Sequence, residues 1–157
     1  MSANTGEASL RYRTLLQVLR TADAILDASR VFFARWDLSP SQFNVLNLLR
    51  LSPDGLSQTD LSRLLIVHRS NVTGLVDRLE KHQLVERKEV AADRRAYRVV
   101  LTPKGGQLLA EILPHYYKGA ERVWSELTDR RAAELIDQLD AGARKAQLIA
   151  KEMADQT

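Results

Sequence analysis

Val72-Thr73-Gly74-Leu75-Val76-Asp77-Arg78-Leu79-Glu80-Lys81, followed by Leu84-Val85-Glu86-Arg87-Lys88-Glu89-Val90 and Tyr97-Arg98-Val99-Val100-Leu101, is the stretch on which the fold turns. Val72, Leu75, Val76 and Leu79 stand at i, i+3, i+4 and i+7, one stripe of a helix expected to run from about Ser70 to His82. Past His82 the pattern changes to alternation, the mark of two strands. The polar segment Ala91-Ala92-Asp93-Arg94-Arg95-Ala96 between them reads as the tip of a hairpin.

Upstream, Ser57 caps a short helix whose Leu61, Leu64 and Leu65 form one face, with a brief break at Ile66 to Arg69. Two short helices with a tight connection match helix-turn-helix geometry, and a hairpin straight after them is a wing. Ser52-Pro53-Asp54-Gly55 is a turn cluster. Before it, Ser39-Pro40-Ser41-Gln42 reads as a capping box with Pro at the first helical position. The helix it opens, Pro40 to Leu51, carries Phe43, Val45, Leu46, Leu48 and Leu49 around much of its circumference, as a buried central helix would. An amphipathic helix from Leu10 to Phe33 precedes it.

Downstream, Thr102-Pro103 opens a helix through Leu108, Leu109 and Ile112 that is expected to kink or break near Pro114. Tyr116, Tyr117, Ala120, Val123, Trp124 and Leu127 continue its apolar face, and Thr128 opens a last helix. The fold class is mainly α with a small β-hairpin wing. A single domain over 1–157 is expected, with a winged helix-turn-helix DNA-binding lobe at 38–105 and a helical dimerisation region at 10–36 and 106–154.

Composition narrows the function. The 157 residues include no Cys, which excludes disulfides, thiolate zinc sites and cysteine redox chemistry within this chain. The N-terminus is polar and no apolar run approaches the length of a membrane span, so a cytoplasmic protein is expected. Net charge is only +3, but Val67 to Gly106 holds nine basic and five acidic residues, a local surplus of +4. Basic character concentrated in one quarter of a chain suits a polyanion.

The outward face of the second short helix offers Ser70, Asn71 and Thr73 near its start, where they are expected to reach base edges in a major groove. Arg69, Arg78 and Lys81 are expected nearer phosphates, with Gly74 and Asp77 on the same face. By itself such a face is an ordinary solvated one; the basic hairpin that follows turns the reading towards DNA. On the wing, Lys88 adds a cation, and Asp93 is expected to pre-orient one of Arg94 and Arg95 while the other enters the narrow, electronegative minor groove.

These residues carry a resemblance. Val72 to Lys81, Leu84-Val85-Glu86-Arg87, Asp93-Arg94-Arg95-Ala96 and Val99-Val100-Leu101-Thr102-Pro103-Lys104-Gly105 resemble the winged-helix core of the MarR family of transcriptional regulators, closely over about Leu38 to Leu109. The resemblance implies a homodimer on pseudo-palindromic operators, usually repressing and often released by small aromatic or phenolic ligands. Gly74 stands where the family often has Arg, and His68 where a Ser cap is common, which leaves the detail of base readout open.

The terminal helices would expose long apolar stripes in a monomer, so they are expected to pair across a two-fold axis, with Leu15, Leu19, Leu135, Leu139 and Ile149 at the dimer interface. A pocket for the ligand is expected only as a region, around Arg35, Trp36, Phe43 and Tyr116, since ordinary core filling is the better account of any single one of these aromatics. His68, His82 and His115 form no metal spacing, and neither a nucleophile elbow nor a phosphate loop is present; no cofactor and no catalysis are expected. The expected partners are a double-stranded DNA operator, a second copy of the chain and a small-molecule effector. The alternative is a winged helix that binds a protein, or DNA without any effector.

Overall fold

The computed structural model describes residues 9–65, 72–90 and 93–156, with residues 90 and 93–96 described by their backbone. Among the described residues six helices and one hairpin follow in order: α1 Leu10–Phe33, α2 Pro40–Arg50, α3 Gln58–Leu64, α4 Val72–Lys81, β1 Val85–Val90, β2 Asp93–Leu101, α5 Pro103–Val123 and α6 Asp129–Ala154, with a 3₁₀ turn Ala34–Trp36 after α1. This is the expected fold class.

Short-range hydrogen bonds set the helix boundaries. Ser39 forms the anticipated capping box: its Oγ accepts from the Gln42 N–H at 3.2 Å while its own N–H donates to Gln42 Oε1 at 2.7 Å. Ser57 Oγ accepts from the Asp60 N–H at 3.1 Å and donates to the Asp60 carboxylate at 2.6 Å, which holds that carboxyl below its usual pKa. Thr128 caps α6, and Thr102 Oγ1 accepts from the Gly105 N–H at the start of α5. Such caps contribute about 1 kcal/mol each. Helix α4 stops one residue earlier than expected, because Gln83 adopts a left-handed conformation (φ 61°) that lets the Leu84 N–H return to the Leu79 carbonyl.

The chain forms two compact units, one ending at Ala110 and the other beginning at Glu111, so that the boundary falls within α5. In the first unit, α2 is the central element, in contact with α1, α3, α4 and β2. Phe43, Val45, Leu46 and Leu49 of α2, Leu61 and Leu65 beside α3, Val72, Leu75, Val76 and Leu79 of α4, and Val85 and Val99 of the hairpin are all buried. Each large apolar side chain so buried contributes about 1.5–3 kcal/mol.

The hairpin pairs Val85 with Leu101 through Glu89 with Tyr97, and Leu56 adds a one-residue bridge to Val99 through two backbone bonds of 2.8 and 3.0 Å. Gly55 makes this approach feasible: its φ is +74°, and a Cβ there would stand 2.6 Å from the Val99 carbonyl oxygen.

Three sequence expectations are corrected. Leu64 is half exposed instead of joining the face of Leu61 and Leu65, because the seven-residue α3 turns only Leu61 squarely inward and the chain leaves the helix at Leu65 in an extended conformation. Helix α5 runs from Pro103 to Val123 with Pro114 inside it, so of the kink or break expected there the break does not occur: the missing N–H does not end the helix. The polar tip is shorter than read: Asp93 already pairs with Val90 and opens β2. Between that pair and Glu89–Tyr97, β2 carries Arg94, Arg95 and Ala96 as extra residues with none opposite. A bulge keeps unpaired residues within a strand, which alternation cannot register.

The second unit is the C-terminal part of α5 together with α6. No residue of α6 is buried; Ile136, Leu139, Leu148, Ile149 and Met153 are all exposed.

Candidate nucleic-acid interface

Helix α4 lies in contact with α2, α3 and β1, so its apolar stripe is wholly covered and its polar face is fixed in direction. Thr73, Asp77, Arg78 and Lys81 are exposed on that face, and Gly74 is half-buried. Arg69, Ser70 and Asn71, as well as His68 and the Ile66 to Arg69 break, lie outside the described residues.

The outward residues are not equivalent. Arg78 Nε donates to the Gly74 carbonyl one turn back at 3.0 Å, so its side chain lies along the helix. Thr73 Oγ1 donates to Gln58 Oε1 on α3 at 3.3 Å. Asp77 is engaged by the protein itself: its carboxylate accepts from Arg87 Nη2 of β1. Lys81 is a plain exposed cation near the far end of the helix.

Arg87 is the organising residue that sequence reasoning passed over. Its N–H donates to Glu80 Oε1 at 3.1 Å, its Nη1 bonds Glu80 Oε2, its Nη2 bonds Asp77, and its guanidinium lies 5.4 Å from the Tyr97 ring centroid. Burial alone would lower the Arg87 pKa, but its bond to the Asp77 carboxylate and the charge of Glu80 outweigh it and the net shift is upward. One side chain therefore ties α4, β1 and β2 together. No local signal marked it, since its partners stand seven and ten residues away.

The C-terminal end of α4 is also tied to the start of α5. Thr102 Oγ1 donates to the Gln83 carbonyl at 2.7 Å and Lys104 Nζ to the His82 carbonyl at 2.9 Å. Gly105 packs so closely on Leu84 that a Cβ there would meet its carbonyl oxygen at 2.1 Å. On the wing, Lys88 is exposed and pairs with Glu86 at 3.0 Å, and Asp93, Arg94 and Arg95 belong to β2.

Phe43 is buried and stacks on Phe33 with centroids 4.3 Å apart, which makes it core. Arg35 lies over Trp36 at 5.0 Å, and Trp36 contacts Phe32. A shallow groove beside them is lined by Arg30, Ala34, Asp37, Leu38, Ser39 and Gln42, with none of the four candidates on its wall. Tyr116 lies in the second unit next to Tyr117. Leu15 and Leu19 on α1, and Leu139 and Ile149 on α6, are exposed, while Leu135 is half-buried. Among the described residues no three His, Cys, Asp or Glu gather as a metal site requires, and no helix is long and apolar enough to cross a membrane.

Comparison with known proteins agrees with this geometry. The family model described as "MarR family" matches residues 36–96. The transcriptional repressor MprA of Escherichia coli is 36% identical over 90 residues, 57% of this chain and 49% of MprA, so the chain spans about half the length of that relative. The uncharacterised HTH-type transcriptional regulator YsmB of Bacillus subtilis is 30% identical over 112 residues, 71% of this chain and 76% of YsmB. Among solved structures, Bordetella bronchiseptica BpsR, whose DNA binding is regulated by 6-hydroxynicotinic acid, superposes with a TM-score of 0.77 at 22% identity, covering 88% of this chain and 98% of BpsR. MepR of S. aureus, in complex with DNA, gives 0.74 at 21% identity, covering 88% and 99%. With the winged lobe in hand and YsmB aligned over three quarters of its length, the chain belongs to the MarR family.

Proposed function

We propose that the chain is a sequence-specific DNA-binding transcriptional regulator of the cytoplasm. In this reading it acts as a homodimer on a pseudo-palindromic operator, represses from it, and leaves it when a small aromatic ligand binds. One observation carries the reading: the exposed polar face of α4 and a basic antiparallel hairpin stand on one packed lobe, locked together by Arg87. A helix with a fixed outward direction is what major-groove reading needs. Thr73, with Asn71 and Ser70, is assigned to base edges, Arg69, Arg78 and Lys81 to phosphates, and Arg94 and Arg95 to the minor groove or its flanking phosphates.

The complex of MepR with DNA supports the first part of this reading, the repressor MprA the second, and BpsR with its hydroxylated aromatic acid the third. Dimerisation through the exposed apolar faces of α1 and α6 supplies two reading helices, and palindromic sites require two. A ligand releases DNA only if it binds better to a dimer whose α4 helices no longer match one turn of B-DNA.

Selection on random duplexes at controlled salt tests the proposal. A palindromic consensus that is lost on adding hydroxylated aromatic acids is expected. A folded protein that enriches no duplex sequence overturns the regulator reading, and a consensus indifferent to such ligands overturns the release step.

A further inference from the structure

Resting on the homodimer reading, we infer that α6 pairs with the α6 of a second copy of the chain, antiparallel and in one register. From Ala132 the residues Leu135, Leu139, Gly142, Ala146 and Ile149 follow at steps that alternate three and four. Such a repeat averages about 3.5 residues and keeps one straight seam turned towards a partner helix. Within the chain this seam is open: Leu139 and Ile149 are 43% and 44% exposed, Gly142 and Ala146 are exposed, and Ala132 and Leu135 are only half-buried.

A second observation concerns Gly142. Glycine in a helix interior works against the helix, and a Cβ at this position would meet nothing within 4 Å in its own chain. No contact inside the chain calls for it; a side chain arriving from outside would.

Size and charge select the orientation and the register. When the two helices run antiparallel along their whole length, Leu139 meets the partner's Gly142, Leu135 the partner's Ala146, and Ala132 the partner's Ile149. Each layer sets a large side chain against a small one. Beside the seam, the exposed Arg131 faces the partner's Glu152, and Gln138 faces the partner's Lys145. Sliding the partner by one heptad sets Lys145 against the partner's Lys145 in one direction, and Arg131 against the partner's Lys145 in the other. A parallel pair sets Gly142 on the partner's Gly142 and Ala146 on the partner's Ala146, which leaves voids, and gives Arg131 no acidic neighbour across the seam.

The test uses the full-length protein, which holds no Cys, so that introduced thiols report alone. Leu135→Cys with Ala146→Cys should give a covalent dimer on mild oxidation, as should Ala132→Cys with Ile149→Cys. The two thiols of either pair stand about 16 Å or more apart along one helix, too far for a bridge within the chain. Each single variant should form no covalent dimer, because antiparallel helices hold identical positions equally far apart. Arg131→Glu should raise the dimer dissociation constant by about tenfold, two exposed ion pairs becoming two repulsions, and adding Glu152→Arg should restore it.

Bridging in both double-Cys variants, with recovery in the charge exchange, supports the register. Bridging in Leu135→Cys alone, a folded dimer by sedimentation in which neither double variant bridges, or no recovery in the charge exchange overturns it and leaves the homodimer reading standing. A wild type that sediments as a monomer at every concentration overturns both.

Discussion

Helices α4 and α6 are both amphipathic, and the chain treats them in opposite ways. On α4, Val72, Leu75, Val76 and Leu79 are all buried, the last two completely. On α6, twenty-six residues long, none is buried, and Ile136 and Met153 remain 59% and 65% exposed. Apolar periodicity says which side chains share a face; whether that face is covered depends on what the rest of the fold brings to it. The winged lobe closes its own core, whereas α6 presents a stripe of the kind that a second copy of the chain would cover.

The largest effect is expected where that stripe is charged. Leu135→Asp with Leu139→Asp places two carboxylates one turn apart on the apolar side of α6, and should give a monomer or an unfolded chain. Specific binding should fall to the non-specific range of roughly 10⁻⁴–10⁻⁶ M at physiological salt. Sedimentation reports mass and circular dichroism reports folding; a folded dimer with full affinity would remove α6 from the interface and break the contrast with α4.

Next comes the closed core itself. Leu46→Ala empties a fully buried position on α2 and should cost about 2–5 kcal/mol in denaturant unfolding. The deficit should be the same at every protein concentration, because the Leu46 side chain packs within its own chain; a deficit that grows on dilution would show that the lobe, too, depends on association.

Arg87→Met keeps the apolar stem of the side chain and the main-chain N–H bond to Glu80, and removes the guanidinium's bonds to Glu80 and Asp77. Arg87 is about one-fifth exposed, so solvent discounts the pairs, and about 1–2 kcal/mol of stability should be lost. Operator affinity should fall further than stability, since the wing loses its register to α4. Equal affinity for the consensus in wild type and variant would make the clamp irrelevant to reading.

The smallest change is expected from Arg94→Ala or Arg95→Ala. Each deletes a cation from the bulged part of β2 and should lower the magnitude of the salt slope by roughly 1 if it contacts a phosphate. A minor-groove contact would instead cost most on A·T-rich flanks. Unchanged affinity and slope in the double variant would take the wing out of the interface.

Legibility followed distance along the chain. The bounds of α1, the Ser39 box and the caps at Ser57, Thr102 and Thr128 could be read because each rests on groups three or four residues apart. The buried stripe of α4 followed from its spacing. The polar face of that helix was legible as a set, yet its members were not distinguishable: Asp77 looked like part of a reading surface and is tied to Arg87, and Thr73 looked free and is bonded to Gln58. Phe43, expected at a pocket, stacks in the core on Phe33, ten residues earlier.

The sequence by itself determined the order of elements, most helix ends, the inward stripe of the reading helix and the concentration of basic charge around it. All of these come from spacing, caps and charge, which act between near neighbours. Only the tertiary structure decided that Leu64 stays out of the core, that α5 continues through Pro114, that Arg94 to Ala96 bulge within β2, and that Arg87, Gln58 and the Leu56–Val99 bridge join parts of the chain far apart in sequence. The physical reason is that a cap needs only its own turn of helix, while an ion pair, a bulge or a buried face needs a second element to arrive, and no local pattern records which one will.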